Sequence, residues 1–239
     1  MKRALVIQHM DHDHPGRFLD WFAEDGIIPH QVRMFDGQEI PSLAGFDLMF
    51  VLGGSQDTWQ EQDYPYLAAE KAAIREWVWD RAKPYFGVCL GHQLLATALG
   101  GEVGPAEKAE IGVFDVRLNT DEDSVFAGLN PDQRVMQWHH AEVKRIPQSG
   151  QVLGSSKDCA VQALAINDHA LSTQFHCEFS PQTLAGWSSL PSYLNVLDRE
   201  LGSRGYDKLR AEALPLMPEM ARNTRMIWDN FKRKSGLKT

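Results

Sequence analysis

Alternation of apolar runs with helical patterns over the first hundred residues restricts the fold more than any other feature of this sequence. Four runs have the length and composition of buried strands, at residues 4–8, 30–35, 46–52 and 84–89. Apolar side chains recur at helical spacing after the first, third and fourth runs, at residues 17–25, 64–82 and 92–101. Because strands joined by helices pair in parallel, we predict an α/β fold with a doubly wound, mostly parallel central sheet and helices on both faces.

The pattern changes after residue 101. Short β segments separated by turn residues continue to residue 179 and predict antiparallel additions at the far edge of the sheet. Helical spacing returns after Pro181. The last stretch carries an apolar stripe, expected to be core or an oligomer contact, of Met220, Thr224, Ile227, Trp228 and Phe231. We therefore predict one flavodoxin-like domain over residues 1–239, in which residues 188–239 form a C-terminal helical extension.

Charge and composition exclude several classes of function. The formal net charge is −8, so no excess of Lys and Arg exists to bind nucleic acid or an anionic membrane surface. The amino-terminal segment lacks the apolar region of a secretory signal, and no stretch approaches the roughly eighteen apolar residues of a membrane span. Three cysteines are too few for a disulfide framework, which is typical of a reducing compartment. We expect a cytoplasmic protein that binds neither nucleic acid nor membrane.

Cys89 lies between Gly87 and Gly91, where the fourth apolar run gives way to a helix. Close glycines allow a sharp, strained turn that lifts the intervening side chain above the sheet, as in a nucleophile elbow. The start of the following helix stabilises negative charge on the sulfur, and the backbone N–H of Leu90 points to where an oxyanion can form. The alternative is a small buried side chain at a helix start, as most free cysteines are. The flanking glycines favour the nucleophile.

A base for this thiol is indicated by His176 and Glu178. On a strand, residues two apart face the same side, so the carboxylate can orient the imidazole while Cys177 faces away. A solvated strand face that carries His and Glu is a common alternative. The glycine-flanked Cys89 upstream favours a base and its orienting partner.

Four segments of the sequence resemble the class I glutamine amidotransferases. They are LGGSQDTW, FGVCLGHQLLATALGGEV, MQWHHAEV and QFHCE, which occur in the family's order. The resemblance runs from Val6 to about Trp187, and it is strongest to free-standing members similar to the glutaminase domain of GMP synthase. It implies that Cys89 forms a γ-glutamyl thioester, that His176 protonates the departing ammonia and that Glu178 orients His176.

The resemblance also implies roles for residues around the nucleophile. Gly54 and Leu90 match the positions whose backbone N–H groups form the oxyanion hole, and Gly53 and Gln93 match residues that bind the substrate. Two positions depart from the family pattern. Cys177 replaces a usual Pro, which affects the backbone rather than the chemistry. Ala141 replaces a frequent Asp, which affects recognition of the amino-acid end of the substrate.

Neither a metal nor another cofactor is expected. The histidines and aspartates at positions 9–14 resemble a metal site, but a polar loop near the pocket explains them. Trp59 and Tyr64 could line the pocket, although packing is the commoner role of such aromatic residues. Cys159 is interpreted as an inert buried thiol.

Three functions remain open from the sequence. The first is hydrolysis of the glutamine side-chain amide, with ammonia released to an acceptor-synthetase subunit in trans, because the chain has no P-loop and no room for a synthetase domain. The second is a free-standing hydrolase of γ-glutamyl peptides or amides that passes the same thioester to water. The third is a non-catalytic binding module, which the complete set of Cys89, His176 and Glu178 disfavours.

Overall fold

A nine-stranded mixed sheet forms the centre of the protein. The computed structural model describes residues 1–237. Five neighbouring strands pair in parallel in the order β2-β1-β3-β4-β9, and they are β1 (Lys2–Gln8), β2 (Ile27–Arg33), β3 (Leu48–Val51), β4 (Tyr85–Val88) and β9 (Ala170–Thr173). This arrangement confirms the predicted doubly wound, flavodoxin-like α/β fold.

Antiparallel strands extend the sheet beyond β9 in the order β8-β7-β5-β6. They are β5 (Glu102–Leu118), β6 (Asp132–Arg145), β7 (Gly150–Ser155) and β8 (Ala163–Ile166). The long hairpin of β5 and β6 forms the outer edge and contains two register shifts. The antiparallel additions expected after residue 101 are therefore present, with one exception: β9, which was also expected among them, pairs in parallel with β4 and belongs to the central sheet.

One prediction about a strand was wrong. The run that we expected to continue as a strand to residue 179 leaves the sheet after Thr173, and residues 174–179 form bends and a turn. This segment is buried throughout, and its alternation of polar and apolar residues belongs to a buried turn rather than to a strand paired in the sheet.

Helices cover both faces of the parallel strands. They are α1 (Phe18–Glu24), α2 (Tyr66–Arg75), α3 (Leu90–Ala98), α4 (Pro181–Ser188), α5 (Pro191–Leu201) and α6 (Gly205–Ser235), with a π turn at Glu76–Asp80 that continues α2 and a 3₁₀ turn at Met34–Asp36. Alternate residues of β1 point to opposite faces, so Val6 packs with α1 and α6 while Ile7 packs with α2 and α3.

The apolar stripe of α6 belongs to the core. Trp228 is fully buried and contacts Phe18, Phe22 and Phe86, with ring centroids 5.5 to 6.2 Å apart. Ile227 is also buried, so the stripe is not the exposed docking surface that a partner protein could use. Of the two roles that the sequence left open, core is the correct one.

A third apolar cluster joins the C-terminal helices to the outer strands. Trp187 of α4, Leu197 of α5 and Leu209 of α6 pack with Ile111 and Met136 of β5 and β6. This cluster places α4 and α5 beside the carboxyl ends of the parallel strands. Within residues 1–237, no helix has both the length and the apolar character needed to cross a bilayer.

Candidate active site

Cys89 occupies a strained turn between β4 and α3, at the carboxyl end of a parallel strand. Its φ of 52° and ψ of −103° are unfavourable for a residue with a Cβ. The glycines around it are required by close packing: a Cβ at Gly91 would lie 2.3 Å from the carbonyl oxygen of Val51. At Gly87 it would lie 2.8 Å from the carbonyl oxygen of Gly91. The sharp turn expected from the sequence is present, and it exists because α3 approaches the sheet unusually closely.

His176 and Glu178 lie just beyond β9, in the turn that replaces the expected strand. His176 Nδ1 donates a hydrogen bond of 2.6 Å to Glu178 Oε1, and both side chains are buried. Strand alternation was therefore the wrong reason for pairing these residues, although the structure does bring them together. Because an ionised carboxylate only accepts hydrogen bonds, the proton of neutral His176 lies on Nδ1 and Nε2 is the free base.

The surroundings of His176 favour its charged form. Burial alone lowers the pKa of His176, but the negative charges of Glu178 and Cys89 and the hydrogen bond from Nδ1 to Glu178 outweigh it, so the pKa is raised well above its ordinary value. Within residues 1–237, His176 Nε2 has no partner that satisfies hydrogen-bond geometry, although it is buried. The thiol of Cys89 and the ring of His176 thus lie beside each other, and Glu178 is hydrogen-bonded to the far side of the ring.

The loop after β3 faces this pair through Gly53 and Gly54. A Cβ at Gly53 would lie 3.4 Å from His176 Cε1 and 3.5 Å from Cys89 Cβ, so the glycine allows the loop to approach both. In the part of the chain that the structure describes, the backbone N–H groups of Gly54 and Leu90 have no hydrogen-bond partner. Both residues line the same cavity as Cys89. Two free donors beside a nucleophile can stabilise an oxyanion.

A cavity of about 300 Å³ opens over Cys89. Its walls come from the loop after β3, the start of α3, strands β5 and β6, and helices α4 and α5. The lining residues beyond the predicted ones include Asp13, Ala109, Ile111, Trp138, Trp187, Tyr193, Val196 and Arg199. Trp138 stacks on Tyr193 with ring centroids 4.6 Å apart, and Trp187 packs edge-on against His176 at 5.4 Å. The cavity is therefore largely apolar, with a few polar groups.

Gln93 lines this cavity, and its amide nitrogen donates to the carbonyl oxygen of Ala141 at 3.0 Å and to Gln174 Oε1 at 3.1 Å. Ala141 also lines the cavity and offers no carboxylate there. The departure from the family pattern at Ala141 thus lies in the wall of the candidate site.

Asp13 supplies a carboxylate that the sequence interpretation did not place in the site. It is buried, lines the cavity and accepts a bond of 3.4 Å from Trp187 Nε1 through Oδ1. Its Oδ2 has no hydrogen-bond partner within residues 1–237, and burial, partly offset by the charge of His176, raises the pKa of Asp13. A carboxylate in such a position can bind the ammonium group of an amino-acid substrate. The sequence did not distinguish Asp13 because its neighbours in the loop at positions 9–14 are also polar.

The other aromatic and histidine candidates have different positions. Trp59 is about half exposed and Tyr64 packs beside α2, and neither lines the cavity. The side chains of the loop at positions 9–14 point to separate partners: His9 contacts Glu70, and Asp11 contacts Arg33. They therefore do not converge on a common ligand.

Cys159 and Cys177 differ from Cys89 in their surroundings. Both are buried, and burial raises the pKa of Cys159 to about 12 and that of Cys177 well above its ordinary value. Cys159 lies near Glu110 and His139, and within residues 1–237 these three are the one group whose ligand atoms could hold a metal ion. Glu110 is already bonded to His139 at 2.8 Å and to Ser156 at 2.6 Å, so a hydrogen-bonded network explains the group.

Comparison with known proteins agrees with this geometry. The family model for glutamine amidotransferase class-I matches residues 26–186, which is more than half of the chain. The chain belongs to the class I glutamine amidotransferase family. A crystal structure of a glutamine amidotransferase from Thermotoga maritima superposes with a TM-score of 0.86 at 25% identity, and the match covers 96% of this chain and 97% of that one.

Two curated relatives from this amidotransferase family match different extents of the chain. A glutamine-hydrolyzing GMP synthase subunit of Sulfolobus acidocaldarius is 36% identical over 148 residues, which cover 62% of this chain and 75% of the relative. Other GMP synthase subunits of the same kind are matched over about half of their own length. Gamma-glutamyl peptidase 3 of Arabidopsis thaliana is 26% identical over 223 residues, which cover 90% of this chain and 84% of the relative. The match to the Arabidopsis peptidase extends over α4 and α5, the C-terminal helices that line the cavity.

Proposed function

We propose that the protein hydrolyses the side-chain amide of glutamine, or the matching amide of a γ-glutamyl compound, through a thioester on Cys89. The observation that carries this proposal is the buried, unpartnered Nε2 of His176 beside the Cys89 thiol at the wall of one cavity. A thiol, a base with a fixed tautomer and two free backbone donors are what nucleophilic attack on an amide carbonyl requires.

In the first half of the reaction, Cys89 Sγ attacks the amide carbonyl carbon while His176 Nε2 holds the thiol proton. The N–H groups of Gly54 and Leu90 donate to the resulting oxyanion. When the tetrahedral intermediate collapses, the C–N bond breaks and the imidazolium of His176 transfers its proton to the departing nitrogen. Ammonia or an amine leaves, and the γ-glutamyl group remains on Cys89.

In the second half, water attacks the thioester carbonyl and gives a proton to His176 Nε2. The C–S bond breaks, glutamate leaves and the proton returns to the Cys89 thiol. Glu178 stabilises the imidazolium in both halves without itself binding the substrate. No cofactor enters this scheme.

Labelling with the diazoketone analogue of glutamine tests the nucleophile. This electrophile should add once to the intact protein, as read by mass spectrometry, and Cys89→Ser should abolish the adduct. Cys159→Ser is the matched control, because its thiol is also buried but does not line the cavity, and it should label like the wild type. A persistent adduct in Cys89→Ser would overturn the proposal.

The acceptor of the reaction has two candidates. Release of ammonia to a separate synthetase protein in trans is the first, by analogy with the relatives named as GMP synthase subunits. Hydrolysis of a γ-glutamyl peptide by water is the second, and it is favoured by α5, which adds Tyr193, Val196 and Arg199 to the cavity wall. These side chains offer contacts for a leaving group larger than ammonia, such as the amine end of a γ-glutamyl peptide.

Comparison of kcat/KM for glutamine with that for a panel of γ-glutamyl dipeptides separates the candidates. If peptides are the substrates, Tyr193→Ala should lower kcat/KM for peptides by about 3- to 10-fold, the usual worth of an aromatic contact, and leave glutamine almost unchanged. Tyr206→Ala, which packs in the same cluster but does not line the cavity, is the control. Equal losses on glutamine and on peptides would contradict the second candidate.

A further inference from the structure

His9 and Glu70 form a buried pair directly behind the loop after β3. His9 Nε2 lies 3.0 Å from both carboxylate oxygens of Glu70, and the two side chains have no exposed surface. His9 Nδ1 lies 2.9 Å from the carbonyl oxygen of Gly53. The pair therefore joins α2 to the loop that carries the candidate oxyanion donor.

Both ring nitrogens of His9 face oxygen atoms. The Gly53 carbonyl can only accept, so Nδ1 carries a proton, and an ionised Glu70 requires a second proton on Nε2. Burial lowers the pKa of His9, but Glu70 outweighs it and the net pKa is raised. These contacts favour the charged form of His9 and fix its ring plane at both ends.

A fixed Gly53 carbonyl determines the direction of the neighbouring N–H. The peptide between Gly53 and Gly54 is trans, so its C=O and N–H groups point in opposite directions. His9 binds the C=O from the buried side, which turns the Gly54 N–H towards the cavity. Glycine at both positions would otherwise allow this peptide to rotate with little steric cost.

We infer that His9 is a positioning residue, which together with Glu70 holds the Gly53–Gly54 peptide in the orientation that stabilises the oxyanion. This inference rests on the proposed thioester chemistry. Neither side chain lines the cavity, so neither contacts the substrate. Buried ion pairs contribute little net stability and are retained in some proteins for the geometry that they specify.

Packing around the loop supports a positional role. A Cβ at Gly54 would lie 2.7 Å from His9 Cβ and 2.9 Å from Leu90 Cδ2. Gln56 Nε2 also donates to the His9 carbonyl oxygen at 3.5 Å. The loop at Gly54 is therefore packed closely between His9 and Leu90, the residue with the second backbone donor. A change in the His9 ring should shift the loop relative to Leu90.

Two variants distinguish the effect of the hydrogen bond from His9 to the Gly53 carbonyl from the effect of the charge on the His9 ring. In Glu70→Gln, a neutral His9 can still donate from Nδ1 while Nε2 accepts from the new amide, so kcat should stay within a few-fold of wild type. In His9→Phe/Glu70→Leu, the donor is lost and an apolar pair fills the space, which preserves folding. Here kcat should fall by about 10²–10³, the usual cost of one oxyanion donor, with a small change in KM.

Three controls make the result specific. Alkylation of Cys89 by iodoacetamide passes through no oxyanion, so its rate should be unchanged in the double variant. His169→Phe removes a similar bond of 2.9 Å, from a ring nitrogen to the Val78 carbonyl, at the start of β9. That variant should lower Tm without lowering kcat. A crystal structure of the double variant should have the Gly53 carbonyl in a new direction.

The outcomes are distinguishable from failure of the proposed function. Wild-type protein that turns over no γ-glutamyl amide contradicts the thioester proposal, and the crystal structure of the double variant then decides the positioning role alone. Wild-type activity retained in His9→Phe/Glu70→Leu, or an unmoved Gly53 carbonyl, overturns the inference.

Discussion

Glu178 is connected to the reacting atoms only through His176. Its Oε1 accepts from His176 Nδ1 at 2.6 Å, and it does not line the cavity. In the proposed reaction, the carboxylate therefore acts by fixing the tautomer of the ring and by raising its pKa.

Glu178→Gln should lower kcat by on the order of 10² to 10⁴, because a neutral amide neither fixes the tautomer nor stabilises the imidazolium. Loss of the negative charge also lowers the pKa of His176. Since the imidazolium protonates the leaving nitrogen, the alkaline limb of the kcat profile should move to lower pH. An alkaline limb that stays in place would indicate that His176 is not the acid, and His176→Ala should remove activity altogether.

Asp13 is the buried carboxylate of the cavity wall with an oxygen still free to bind a ligand. If Asp13 binds the α-ammonium group of the substrate, Asp13→Asn should raise KM for glutamine by about 10- to 100-fold, as expected for a lost charged hydrogen bond. The control is glutaramate, which has the same amide but no α-amino group. Its kcat/KM should not change. An equal loss on both substrates would place Asp13 at the reacting amide instead.

Single residues differ in how well the sequence predicts them. Cys89 could be located because its glycines, its strand and its helix are adjacent in the chain. Asp13 and His9 could not, since His9 pairs with Glu70 across 61 residues and nothing local distinguishes either from a polar loop residue. Their roles depend on tertiary contacts alone.

The turn that follows β9 is the element on which the site depends most. The His176 N–H donates to the Met136 carbonyl of β6 at 2.9 Å, and Thr224 Oγ1 of α6 donates to the Cys177 carbonyl at 3.0 Å. Two elements distant in sequence thus hold the segment between His176 and Glu178. The C-terminal helix thus helps to position His176, the proposed base, as well as completing the core.

Thr224→Val should therefore reduce kcat as well as stability. The change leaves the buried Cys177 carbonyl without its side-chain donor, which costs about 1–3 kcal/mol, and it loosens the turn that carries His176. Asn230→Leu is the matched control, because Asn230 of the same helix donates to the Val125 and Ala127 carbonyls at 3.0 Å, in a loop that does not line the cavity. That variant should lose stability and retain kcat. Loss of kcat in both would indicate a general effect of weakening α6.

Elements were predictable where one local pattern decided them. The first four parallel strands and α3 follow from apolar runs and glycines, and the structure confirms them, whereas β9 was expected to pair antiparallel and pairs in parallel with β4. The end of β9 was missed because polar and apolar residues alternate over residues 174–179 as they do on a strand, whereas hydrogen bonds to β6 and α6 hold this segment outside the sheet. The contribution of α5 to the cavity was missed because the family resemblance ended near Trp187.

At the scale of the whole molecule, residues 1–237 contain three buried pairs of histidine and glutamate. They are His9 with Glu70 at 3.0 Å, His139 with Glu110 at 2.8 Å and His176 with Glu178 at 2.6 Å. His92 is different: it is buried without a carboxylate, bonded to Ser172 Oγ and the Val161 carbonyl, and burial lowers its pKa to about 3. His9 and His176, whose pKa values are raised, therefore affect stability at a different end of the pH range from His92.

Stability should be greatest near pH 6.5, the ordinary pKa of histidine. The raised pKa values of His9 and His176 contribute stability that is complete below pH 6.5 and is lost as pH rises through their folded values. The lowered pKa of His92 contributes stability that is complete above pH 6.5 and is lost as pH falls towards about 3, at about 1.4 kcal/mol per pH unit. The lowered pKa of Glu110 adds to the loss of stability in acid, below its ordinary value of 4.5.

Tm measured from pH 4 to 9 should thus fall on both sides of a maximum. The variant His92→Gln should flatten the acid side of this profile, and His176→Asn should flatten the alkaline side. A wild-type Tm that rises steadily from pH 6.5 to 9 would contradict the raised pKa values of His9 and His176.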